Sequence, residues 1–218
     1  MPRSIFHITY IAICILLILA SSGCIGGTKP KGRESPIAQK PKVILEDPAK
    51  FVLMEDELPP GFHLDLSWYQ DLEEVASTWD DPEEGREKLI EWGYIDSYIV
   101  RFRRDVSSLD VFTEPFIIMS KVTRYEDASG AANALDHKFH DLIEEEGHEL
   151  LSSVDIGGGG VLLKYDYRIE DSDFTHYILM FRYGNTIGSV LVGGFVGSPD
   201  RDEIVGYAIA MEEKLERA

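Results

Sequence analysis

The chain has 218 residues, of which 44% are apolar, enough for one compact domain and a leader. Its net charge of −18 repels phosphate backbones, so nucleic acid is excluded as a natural partner. The two cysteines are Cys14 and Cys24, and the chain beyond them has none, which excludes a disulfide framework for the folded part.

Residues 1–23 read as an export leader. Arg3 supplies a positive start, and 11–20 is an unbroken apolar run too short for a comfortable membrane span, which needs roughly 20 residues. Leu19-Ala20-Ser21-Ser22-Gly23-Cys24 looks like a lipobox, in which the leader is cut before a cysteine that then carries lipid. Cys24 is therefore the expected lipidation site. An uncleaved N-terminal anchor is the alternative, and both place the domain on the extracytoplasmic face of a membrane. A single acyl chain binds a bilayer only marginally, so stable attachment implies at least two.

Residues 24–42 form a basic tether. Gly26-Gly27, Pro30, Gly32, Pro36 and Pro41 cannot build a core, and five basic residues from Lys29 to Lys42 face only Glu34. Beyond residue 42 the balance reverses, with 15 basic against 38 acidic residues. Residues 43–218 are the expected globular domain.

Within it, Leu58-Pro59-Pro60-Gly61-Phe62 is a rigid turn into a short segment, 62–67. Residues 68–79 are ambiguous, with Leu72, Val75, Ala76 and Trp79 at helical spacing. Asp81-Pro82 starts a helix that stops at Gly93. Residues 95–104 alternate as a strand, with Tyr98, Val100 and Phe102 on the apolar face. A second strand follows at 116–124. The long helix spans 127–146, with Ala131, Leu135, Phe139 and Leu142 on one face. Four strands come in quick succession at 149–156, 161–169, 174–183 and 186–196, too closely spaced for parallel crossovers. Gly184-Asn185 suits the positive-φ positions of a two-residue hairpin. Ser198 and Pro199 read as the cap and first position of a last helix. The order gives an α+β domain: a curved antiparallel sheet of about six strands, with a long central helix and a C-terminal helix packed on it.

Two stretches carry a resemblance. Leu89-Ile90-Glu91-Trp92-Gly93-Tyr94-Ile95-Asp96-Ser97-Tyr98 leads into a strand, and Met180-Phe181-Arg182-Tyr183-Gly184-Asn185-Thr186-Ile187 leads into a strand and the terminal helix. Together they resemble secreted prokaryotic lipoproteins with a sensor-like or photosystem-accessory (PsbP/Mog1-type) α/β domain. The resemblance implies a non-enzymatic binding or accessory role and assigns no site residue.

Motifs for catalysis are absent from the sequence. His137, Asp141, Glu144 and His148 share one side of the long helix, but ligands strung along a rod do not converge on one ion, so no metal site is expected. Gly157-Gly158-Gly159-Gly160 feeds a strand rather than a helix N-terminus, which argues for a hairpin connection over a phosphate loop. Gly193-Gly194-Phe195-Val196-Gly197 lacks the dinucleotide fingerprint and fits close backbone packing. Glu170–Asp173 lacks the glycine and terminal glutamate of a calcium loop. No Gly-x-Ser-x-Gly elbow occurs, and no cofactor is expected.

Aromatic residues give the positive lead. Trp68 and Tyr69 lie in the least regular stretch and are the candidates for lining a ligand groove between sheet and helices. The sequence therefore points to a lipid-anchored extracytoplasmic domain that binds a small ligand or a protein partner. The alternative is a membrane-tethered hydrolase working through dispersed carboxylates.

Overall fold

Alternating side chains and a few well-placed caps account for most of the architecture. In the computed structural model, residues 42–104, 113–144 and 146–218 are described, all within the unit Lys40–Ala218. Cys24 and the tether short of Lys42 lie outside the described residues.

Seven strands form one open sheet in the order β1-β2-β3-β7-β6-β5-β4, with antiparallel neighbours throughout. They are β1 (Phe62–Gln70), β2 (Tyr94–Arg104), β3 (Ile117–Tyr125), β4 (Glu149–Val154), β5 (Gly160–Ile169), β6 (Ser172–Tyr183) and β7 (Thr186–Phe195). The count is seven rather than six because 62–67 extends to Gln70 as a full edge strand. It was obscured by Asp65, where a bulge shifts the register between Leu64 and Leu66, and by polar residues on both faces.

Among the described residues four α-helices accompany the sheet: α1 (Leu72–Ala76), α2 (Pro82–Glu91), α3 (Ala128–Glu144) and α4 (Arg201–Arg217). Asp81 caps α2 by accepting from the amides of Glu83 and Glu84. Asp127 does the same for α3 through Ser129 and Gly130. The last helix begins later than its sequence suggests. Asp200, not Ser198, is its cap, accepting from Asp202 N, while Ser198 is buried. No helix among the described residues is long and apolar enough to cross a membrane.

The two faces of the sheet are covered differently. On one, α4 packs Ile204, Ala208, Met211 and Leu215 against Leu179, Phe181 and Val190. The same core takes in Ile44, Phe51, Val52 and Leu53 from a strap that precedes β1. Asn185 pins that strap: its Oδ1 accepts from Ile44 N at 2.6 Å, and its Nδ2 donates to Ile44 O and Tyr125 O. The hairpin therefore uses Gly184 alone at positive φ, +58°, and spends Asn185 on buried hydrogen bonds. On the other face, α1, α2 and the start of α3 enclose Trp92, Tyr94 and Tyr125, and the end of α3 packs Leu142 on Leu163 and Met180.

Candidate functional site

Strand alternation places Arg104 on the wrong side for a charge. It follows Tyr98, Val100 and Phe102 in phase, so the last side chain of β2 points toward the face that α4 covers. Its register partner is Phe62, and the guanidinium lies 4.7 Å from that ring's centre. Only 9% of the side chain is exposed.

Arg104 lines a cavity of about 600 Å³ at the N-terminal end of α4. Tyr177 of β6, Glu114 ahead of β3, and the turn from Gly197 to Asp200 form other walls. That turn is fixed by its own sequence. Gly197 has φ +88°, and Ser198 N donates to Phe195 O. A Cβ on Gly194 would lie 2.0 Å from Ser198 Oγ and 3.2 Å from Pro115 Cα, so the second glycine of 193–197 serves close packing.

The cavity carries mixed charge. Arg104 forms an ion pair with Glu114 through Nη1, yet its Nε is buried without a hydrogen-bond partner, as is Ser198 Oγ. Arg201 donates to Ser152 Oγ, and Glu203 accepts from the Tyr207 hydroxyl. Burial and that hydrogen bond push the Tyr207 phenol far above its ordinary range, so it remains a donor. Arg104 is thus ion-paired at Nη1 and buried at Nε, and the N-terminal end of α4 forms the neighbouring wall.

On the opposite face, one buried and several half-buried rings form a continuous series at the same end of the sheet. His148, Tyr165 and Tyr167 stack in succession, and Phe174 and Phe195 extend the row. His148 Nδ1 lies 3.0 Å from Leu142 O, and a carbonyl can only accept, so that nitrogen carries the proton. Its Nε2 then accepts from His176 Nε2 at 3.1 Å. Burial lowers both imidazoles, His176 to about 4 with the neighbouring His148 adding to the effect. The pair is neutral at pH 7.

The aromatic candidates of the sequence are separated. Trp68 and Tyr69 are successive residues of edge strand β1 and face opposite sides of the sheet. Tyr69 is 50% exposed, lies 4.6 Å from Tyr98 and donates to the Asp47 carboxylate. Trp68 pairs with Ile99 on the other side. Neither lines the cavity.

Among the described residues no three His, Cys, Asp or Glu side chains are grouped to hold a metal ion. His137 is instead stacked on Trp79 at 4.7 Å and tilted against Trp92. The carboxylates with displaced pKa values are held low, and none lines the cavity. A backbone amide from Ala49 lowers Asp47, and Arg168 lowers Asp173. For Asp166 burial acts upward but is outweighed by hydrogen bonds from Lys164 and Thr175. The glycine run at 157–160 folds onto its neighbours: a Cβ at Gly157 would sit 2.2 Å from Arg182 O.

No protein-family model matches the chain, and no curated protein matches it. Among solved structures it is similar to the extracellular domain of PknH from Mycobacterium tuberculosis, with a TM-score of 0.51 and 8% identity. The match covers 78% of this chain and 95% of that one. At that identity the likeness is one of fold.

Proposed function

We propose that the chain is an extracytoplasmic domain, lipid-anchored through Cys24, that binds a small ligand in the cavity at the N-terminal end of α4 without transforming it. The observation that carries this reading is an open cleft of about 600 Å³, within the size range of small-molecule sites, with a largely polar wall that includes Arg104, Arg201, Glu114, Asp200 and Glu203. Two further points support it. The leader and Leu19–Cys24 have the pattern of an exported lipoprotein. The fold resembles that of a domain whose description is extracellular.

The location is tested by intact-mass measurement of protein extracted from membranes. The expected outcome is loss of residues 1–23 and a lipid-sized mass increase on Cys24, with Cys24→Ala released into the soluble fraction when the leader is cut. Recovery of an unmodified chain starting at Met1 from the membrane overturns lipidation and leaves the leader as a plain anchor.

A further inference from the structure

We infer that His148 and His176 form a two-imidazole site for a divalent transition ion, copper(II) ahead of zinc, on the sheet face opposite α4. The site is separate from the cavity and does not depend on a ligand being bound there.

The two Nε2 atoms are 3.1 Å apart. An ion held about 2.0–2.1 Å from each nitrogen would see them at roughly 100°, between the square and tetrahedral angles. Both atoms therefore fit the shell of one ion with little movement of either ring.

The end of α3 sets His148 for this role. Gly147 turns the chain at φ +74°, and the Leu142 carbonyl then accepts from both the backbone N and Nδ1 of His148, at 2.8 and 3.0 Å. A ring nitrogen that donates to a backbone carbonyl fixes the tautomer and leaves the other nitrogen as a base, the arrangement that orients imidazole ligands of metals. His176 comes from β6, in register with Tyr165 of β5. The Tyr165 ring stacks on His148 at 4.8 Å and lies 5.3 Å from His176, with Tyr167 5.6 Å from His176. These rings hold the imidazoles in place, so little side-chain freedom is lost on binding. Without an ion, His176 Nε2 donates to His148 Nε2. With one, the His176 proton moves to its own Nδ1, both Nε2 lone pairs are free, and no net proton is released.

The surroundings favour a cation of this class. The contact is part-buried, so water or an outside ligand can fill the rest of the shell. The charge of Glu146 acts on both imidazoles and that of Asp166 on His176, each favouring positive charge, while Lys138 opposes them at His148. Imidazole suits copper, nickel and zinc rather than calcium or magnesium, and the order of affinities puts copper(II) first.

The test is calorimetric titration of the metal-free full chain in detergent, any free thiol alkylated, with copper(II) and with zinc, together with electron paramagnetic resonance of the copper form. The variants are His176→Gln, His148→Gln and, as a control, His63→Gln on edge strand β1, whose side chain is 68% exposed. Each is checked for fold by circular dichroism. One copper(II) per chain is expected, coupled to two imidazole nitrogens and bound more tightly than zinc. His176→Gln and His148→Gln are each expected to lose at least about tenfold in affinity, and His63→Gln to lose nothing. Coupling to fewer than two imidazole nitrogens overturns the inference, and it is read on the unaltered chain, so it decides even where a variant fails to fold. Unchanged affinity in a folded His176→Gln chain, an equal loss in His63→Gln, or displacement of copper by equimolar calcium overturns it as well.

Discussion

His176 and His148 make a part-buried polar contact whose cost depends on pH. In the unfolded chain His176 titrates near 6.5, and in the fold burial holds it down to about 4, against the opposing charges of Glu146 and Asp166. Between those values the unfolded chain takes up a proton that the folded chain refuses, so stability is lost as pH falls from 6.5 through 4. His148 is shifted the same way. His176→Gln keeps a donor for His148 Nε2 and removes the titration. Urea unfolding of that variant is expected to show a shallower loss between pH 6.5 and 4, by on the order of 1–2 kcal/mol after allowing for solvent screening. An unchanged pH slope would mean that the pair is hydrated and not coupled to folding.

At the scale of elements, α3 shows how packing overrides propensity. Gly130 sits in its first turn, where alanine would ordinarily favour the helix by about 1 kcal/mol. A Cβ there would lie 1.9 Å from Trp92 O, at the end of α2. Gly130→Ala is therefore expected to destabilise by about 2–3 kcal/mol, read as a lower urea midpoint at unchanged m-value. The same contrast explains which elements were legible from the sequence. Strong alternation and tight spacing revealed β2 through β7, and Asp81-Pro82 announced α2. The edge strand β1 was half hidden, because one of its sides meets solvent and its pattern breaks at Asp65. Asp71-Leu72-Glu73-Glu74 is a capping box with both reciprocal hydrogen bonds, a local signal for α1 that the helical spacing of 68–79 masked. Arg104 could have been found by continuing the phase of Tyr98, Val100 and Phe102 by one more step. Nothing local points to the His148–His176 contact, which joins residues 28 apart through the pairing of β5 and β6 and the end of α3.

For the whole molecule, the strap matters as much as any helix. Ile44, Phe51, Val52 and Leu53 are each almost fully buried. At roughly 1.5–3 kcal/mol per side chain their removal approaches the total stability of an ordinary domain. Arg124 and Lys214 add hydrogen bonds to the carbonyls of Leu45, Glu46 and Val52. A chain beginning at Met54 is expected to lose cooperative unfolding and near-ultraviolet circular dichroism. One beginning at Lys42 is expected to keep both. A cooperative transition in the shorter chain would show that α4 alone closes that face.

The strap also decides where a pull on the protein would be felt. The chain enters the fold at Lys42, whose Nζ donates to the carbonyls of Leu215 and Glu216 at the C-terminal end of α4. Its own carbonyl lies against Gly184 in the β6–β7 hairpin. The cavity is at the other end of α4, about 25 Å along a helix of that length. Tension on a tether enters through the hairpin and the last turn of α4, where Asn185 and Lys42 take the load. The Arg104 end lies off that line of force. Under the anchoring at Cys24 proposed above, drag would enter at Lys42, away from Arg104, and an anchored and a released domain are expected to bind alike.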